Sequence, residues 1–326
     1  MKKIFLILIF ILAGPGLFQH VQLHAQAQDF DFSFKSMEAH KYSTTSTMKL
    51  DMDMRVDDWT EKMGMDISMQ YDVKITPLEK MEDGSVRCKL EPENIMANWD
   101  MIQAGMHIKA KLENDYVYGT VDGTVFIDTE NDIGTSEAKE LKKELAGLYL
   151  SGEMTMTENG DMAGITGSIP FEEFWKENME AYVGFFGIVF NDEAIAVGEK
   201  WEVPFELAQM GELRLSDTLK SIVSFKREAD TLIDGTSYQH FTGRSPFNSQ
   251  NLKGKMNDLG GDGLIVINDL QRTGEIDIIY DNDQGILISN KTDIDGDVKM
   301  SMTVEGQEVK MDMIIDGFIE MKKIED

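Results

Sequence analysis

Apolar and polar residues alternate one by one along most of this chain. In KLDMDMRV, Leu50, Met52, Met54 and Val56 fall on one side of an extended backbone, and Lys49, Asp51, Asp53 and Arg55 on the other. MGMDISMQYDVKI repeats the rule, with Met63, Met65, Ile67, Met69, Tyr71, Val73 and Ile75 sharing one face. A helix would scatter these residues around its axis, whereas a strand sorts them into core and solvent.

Turn signals punctuate the alternation. Glu82-Asp83-Gly84 leads into SVRCKLEP, and HIKAKLEN precedes DYVYGTVDGTVFID. Glu158-Asn159-Gly160, Asp234-Gly235 and Asp283-Gln284-Gly285 each divide a further pair of alternating runs. DVKMSMTVEG and QEVKMDMIIDGFIEMKKI form the last pair. Tight turns join neighbouring strands, so the pattern predicts a mainly β protein: a large curved antiparallel sheet or half-barrel.

Two segments depart from period two. SEAKELKKELAGLYL sets Leu141, Leu145, Leu148 and Tyr149 at helical spacing behind Ser136 as an N-cap. PFEEFWKENMEAYVGFFGIVF starts at Pro170 and aligns Phe171, Phe174, Trp175, Met179, Tyr182 and Val183 in one stripe, with Phe186 beyond it. These one or two helices are expected to pack on the concave face of the sheet. NLKGKMNDLGGDG, Asn251 to Gly263, reads as a long loop. Strand–turn–strand units flank the helices, which leaves room for two similar halves meeting near 165–195. No fixed repeat period emerges.

The chain opens with two lysines, a short apolar run and Gly-Pro-Gly, followed by Ala25-Gln26-Ala27. That is the pattern of a secretory signal peptide over 1–27, leaving 28–326 as a single large domain. No later segment approaches the about 20 apolar residues of a membrane-spanning helix. The expected product is exported to the periplasm or beyond and soluble, not an integral membrane protein. With 59 acidic against 31 basic residues the formal net charge is −28. Such a chain repels nucleic acid and anionic membrane surfaces.

Composition and motifs supply little catalytic chemistry. The single cysteine, Cys88, alternates with Val86 and Leu90 and reads as a small core residue. Beyond the leader the histidines are His40, His107 and His240, none in a zinc spacing. No G-x-S-x-G elbow occurs, and LGGDG lacks the Lys and Ser/Thr of a phosphate loop. DNDQG (Asp281 to Gly285) and DIDGD (Asp293 to Asp297) fail the glycine and glutamate positions of an EF-hand. Both read as acidic hairpin turns, with a weak calcium site as the lesser alternative.

Methionine recurs as M-x-M at 52/54, 63/65, 154/156, 300/302 and 311/313. Residues i and i+2 of a strand share a face about 7 Å apart, close enough for two thioethers to meet a soft ion such as Cu(I). Each pair also continues an ordinary apolar face, and no histidine or cysteine accompanies it. Core packing therefore ranks first, a pliable lining for an apolar guest second, and copper third.

FNDEAIAVGEKWEVPFEL brings Val197, Gly198, Glu199, Lys200 and Trp201 together. This resembles the V-x-V-G-(D/E)-x-W segment of a family of secreted bacterial envelope proteins of unknown function. MSMQYDVKITPLEKMEDGSVRCKLEPENI resembles that family's early hairpin. ELKKELAGLYLSGEMTMTENGDMAGITG resembles its helix and strand–turn–strand unit, and GEIDIIYDNDQGILISNKTDI its late hairpin. The resemblance implies a turn at Gly198 and a core anchor at Trp201, and supplies no catalytic residue. A curved sheet carrying apolar helices is also similar in architecture to LolA-like half-barrels, whose concave face shelters acyl chains.

These readings point to a non-enzymatic envelope protein binding an apolar or lipid-like ligand between sheet and helix. Met52, Met54, Met65, Met69, Phe171, Phe174, Trp175, Met179, Tyr182 and Phe186 are the candidate lining residues. No cofactor, metal site or catalytic residue is assigned, and no protein partner is identified. A structural or protein-interaction module with a solid core is the alternative, ahead of Met-based copper or weak calcium binding.

Overall fold

The structure is a computed structural model that describes residues 36–56, 59–103, 105–114, 116–134, 152–156, 162–166, 195–210, 213–255, 264–304 and 307–324. Both expected helices lie outside the described residues.

Alternation becomes strands of unusual length. The first half holds β1 (His40–Val56), β2 (Trp59–Lys80), β3 (Val86–Gln103), β4 (Met106–Glu113), β5 (Tyr116–Val121), β6 (Thr124–Asp128), β7 (Gly152–Met156) and β8 (Met162–Thr166). The second holds β9 (Lys200–Met210), β10 (Leu213–Arg227), β11 (Thr231–Ile233), β12 (Thr236–Lys255), β13 (Leu264–Asp281), β14 (Ile286–Val304) and β15 (Gln307–Ile324). The turns form where short-range chemistry demands. Asp122-Gly123 and Asp234-Gly235 both take positive φ at both residues, as two-residue hairpin turns require.

The strands make one antiparallel sheet in the order β6-β5-β4-β3-β2-β1-β15-β14-β13-β12-β10-β9, with β7 attached to β3 and β8 to β7. Its centre is the pairing of the first strand with the last, continuous from Lys41 against Ile324 to Val56 against Val309. Two meanders run outward from that seam. The sheet stays open among the described residues, because its path ends at β6 and β9 rather than closing into a barrel.

One face is packed. Leu50, Met52, Met63, Met65, Ile265, Ile267, Leu270, Val298, Met300, Met302, Met311, Met313 and Ile315 belong to a single buried cluster that also takes in β9, β10 and β12. A smaller cluster of Ile95, Ala97, Leu112, Val117 and Ile127 serves β3 to β6. The other face carries the charges, mostly exposed. Cys88 is fully buried in the main cluster; burial pushes its thiol up to about 12, so it stays protonated and inert.

The Gly198–Trp201 segment takes the expected form. Gly198 has φ 90° and donates its N–H to the Arg227 carbonyl, while the Glu199 N–H reaches Ala196. Trp201 then stacks on Phe225 at 5.3 Å and meets Phe241 edge-on at 6.0 Å.

Two sequence expectations need correction. DIDGD is no turn: Asp293–Asp297 lies mid-strand in β14, with Ile294 and Val298 inward. Gly296 is there for space, since a Cβ would press within 3.2 Å of Arg272 on the neighbouring strand. Of the expected loop, Asn251 to Lys255 still belong to β12, and the rest lies outside the described residues. Asn251 takes φ 56° and is skipped in a register that runs from Gln250 against Asp269 to Leu252 against Ile267. Asn268 opposite is skipped too, so the register is unchanged, and the strand continues with Leu252 buried.

Candidate functional site

The register decides which side chains meet. Across the sheet, Ile294, Gly317, Met48, Ile67, Trp99 and Ala110 form one transverse row on the packed face. The rows on either side of it belong to the charged face. One runs Asp295, Asp316, Lys49, Asp66, Asp100, Lys109, Thr120, and the other Arg244, Glu275, Asp293, Phe318, Thr47, Ser68, Asn98, Lys111, Tyr118.

A hollow of about 1070 Å³ is lined by those two charged rows together with the Met48 row between them. Had it opened on the packed face, the apolar rows of Ser46 and Leu50 would line it instead. The hollow therefore lies on the charged face, with the Met48 row contributing its backbone as floor. It touches Arg244 on β12 and Tyr118 on β5, eight strand steps apart in the sheet. A flat sheet would hold these roughly 38 Å apart at about 4.8 Å per strand. The hollow therefore runs across most of the width of the sheet.

A second hollow of about 670 Å³ adjoins the first on the same strands, lined by Asp51, Asp53, Lys62, Gly64, Ile102, Asp297, Lys299, Asp312 and Ile314 among others. Ile102 and Ile314 are more than half exposed, an unusual state for isoleucine on so charged a face. Gly64 sits between them in the same row, beside Asp51, and its missing side chain deepens the trough. A Cβ there would meet only the Asp51 carboxylate, at 3.6 Å.

Charges along the trough are partly matched. Lys109 reaches Asp100 at 3.0 Å and Arg244 reaches Glu275 at 3.1 Å. His107 and Lys109 together hold the Asp100 carboxyl below its ordinary range, through hydrogen bonds first and charge second. Lys291 bonds Asp293 at 2.8 Å and lies over the Phe318 ring at 5.5 Å.

Placement of the sequence-predicted residues divides them. Met52 and Met65 are buried in the main cluster and Met54 packs half-buried at its edge. Met69 packs against the smaller cluster. Phe171, Phe174, Trp175, Met179, Tyr182 and Phe186 lie outside the described residues. What periodicity could not show is convergence. Four of the five M-x-M pairs stand on adjacent strands, giving the rows Met300–Met311–Met54 and Met313–Met52–Met63. The fifth, Met154 and Met156, pairs with Cys88 and Val86 on β3, away from that patch. The trough was missed because its residues read as ordinary solvated strand faces. The exposed Ile102 and Ile314 break the polar side of the alternation, and theirs is the signal that was there to find.

No family model matches the chain, and no curated protein matches it. Among solved structures it is similar to lipovitellin, in a structure concerned with lipid–protein interactions, at 7% identity and a TM-score of 0.43. That match covers 88% of this chain and 25% of the other, so the chain spans about a quarter of that protein's length. It is also similar to the translocator domain of the autotransporter NalP from Neisseria meningitidis (6% identity, TM-score 0.17, covering 85% of this chain and 88% of that one). A DUF1329 family protein from Desulfovibrio piger matches at 7% identity and a TM-score of 0.11, covering 87% and 86% of the two chains. At these scores neither fold nor function is argued from the likenesses.

Proposed function

We propose that this chain is an exported, non-enzymatic binding protein of the cell envelope, and that it holds an elongated lipid-like amphiphile along the trough of its charged face. The observation that carries the reading is the trough's polarity gradient. Lysines, carboxylates, Phe318 and Tyr118 surround its larger hollow, and exposed Ile102 and Ile314 flank the smaller. Mixed charges suit a zwitterionic head group, and the isoleucines suit the apolar chain that follows it. The larger hollow is of the size that holds small ligands. Two pairs of its charged groups engage one another, Lys109 with Asp100 and Arg244 with Glu275, which supports a recognition surface more than a reaction centre.

The guest expected between sheet and helix keeps one specific support. Met48, Ile67, Met69 and Trp99 are only partly buried, and they lie where the two apolar clusters meet. An apolar chain could lodge at that seam while the methionine rows beside it stay packed.

Titration with lysophosphatidylcholine tests the trough. Gly64→Trp fills it, and is expected to weaken binding at least about tenfold while leaving the urea midpoint nearly unchanged. A protein that ignores the lipid, or a variant that binds it as tightly, overturns the reading. If a Trp99→Ala variant alone loses binding, the seam between the clusters is the site.

A further inference from the structure

Eight methionines, at 52, 54, 63, 65, 300, 302, 311 and 313, collect on one face of β14, β15, β1 and β2. Leucine would fill such a patch with better-defined rotamers and less flexibility, so packing explains the patch without explaining the choice. A second feature is foreign to any apolar core. Glu61 continues the row Met300–Met311–Met54 on β2 and is only 8% exposed. Its Oε1 is closed off from solvent and has no hydrogen-bond partner among the described residues. Nearby cations are engaged on the opposite face: Arg55 with Asp312 at 2.7 Å and Lys62 with Asp53 at 3.8 Å.

A buried carboxylate oxygen without a partner is unfavourable, and a bound cation removes the penalty. The neighbouring donors say which cation. Thioethers are soft and neutral, poor ligands for calcium, magnesium or zinc, and good ones for Cu(I). Rows on adjacent strands lie about 4.8 Å apart, so side chains consecutive in one row can close on a single ion. Met54 is half-buried and stands two residues from the end of β1, which provides an entry from that end of the sheet.

We propose that Glu61, Met54 and Met311 form a site for a soft monovalent ion, Cu(I), with Met300, Met52 and Met313 as the surrounding thioethers. Glu61 supplies the balancing negative charge and the methionines the selectivity. This site lies on the face opposite the trough and stands or falls separately from it.

The test is competition for Cu(I) against bicinchoninate under anaerobic, reducing conditions, with Ag(I) as the redox-inert probe for thermal stability. Wild-type protein should withdraw one equivalent of Cu(I), leave Zn(II) with a matched chelator, and gain Tm with Ag(I). Met54→Leu/Met311→Leu keeps the core volume, and Glu61→Gln removes the charge at constant shape. Each should weaken Cu(I) binding by more than the roughly tenfold that even a supporting residue costs. Each should also abolish the Ag(I) shift, while Gly64→Trp leaves both readouts untouched. Wild-type protein that leaves Cu(I) with the chelator, or variants that bind it as tightly as wild type, overturns the proposal.

Discussion

Met313 and Ile314 are neighbours in sequence, and their surroundings differ completely. Met313 is 2% exposed in the packed rows, and Ile314 is 57% exposed in the trough. The contrast runs the length of β15 and across the sheet. One face is packed, with most of its side chains buried in two apolar clusters. The other is a charged surface whose few apolar members are left open. Stability resides in the first, and recognition is proposed for the second.

The sharpest way to break that comparison is to place the same charge on both faces. Met313→Asp buries an unpaired carboxylate and removes a core side chain, so it should cost about 3–5 kcal/mol or prevent folding. Ile314→Asp should change stability by less than about 0.5 kcal/mol, in the range of ordinary surface substitutions. Urea midpoints compare the two. Similar losses at both positions would mean that the two faces are not distinct environments.

Glycine sharpens the contrast at backbone level. A Cβ at Gly317 would run into the Thr47 carbonyl oxygen on the neighbouring strand. Gly317→Ala should therefore cost about 1–3 kcal/mol, as overpacking does. At Gly64 the space is open, and Gly64→Ala should gain about 0.4–1 kcal/mol by restricting the unfolded chain. Opposite signs are the expected outcome in thermal or urea unfolding. Two losses of equal size would show that the trough is packed.

The smallest effect is with pH, and it belongs to the charged face alone. Asp100 is held low by His107 and Lys109, and Glu228 by Lys226 and Thr242. A depressed folded value means stability that is fully present above the unfolded value of about 4. That stability is lost as pH falls through the lower folded value. Stability should thus be flat near neutrality and decline below about pH 4, with Asp100→Asn removing a small part of the decline. These pairs are exposed, so each contribution is modest. Variant and wild-type slopes that coincide below pH 4 would show that the Asp100 pairing contributes nothing.

The strands were legible because a half-buried strand must alternate, and alternation needs no knowledge of neighbours. The hairpin turn at Asp234-Gly235 was legible for the same reason: both residues adopt positive φ locally. DIDGD misled because Asp and Gly favour turns by short-range chemistry, yet Gly296 answers a contact from another strand. Asn251 misled similarly, since its left-handed conformation lies inside β12 and not in a loop. Likewise, only the register sets Ile102 and Ile314 in one row.

The sequence by itself determined the strand class, the turns at Asp234-Gly235 and Asp283–Gly285, the inward side of β1 and β2 and the identity of Cys88 as a core residue. Each follows from interactions between residues a few positions apart. Only the tertiary structure decided that β1 pairs with β15, because that contact joins residues more than 250 positions apart and no local preference encodes it. From that one pairing follow, among the described residues, the sheet's ends at β6 and β9, the meeting of four methionine pairs beside Glu61, and the trough on the opposite face. Alternation states which way a side chain points, and register alone states what it points with.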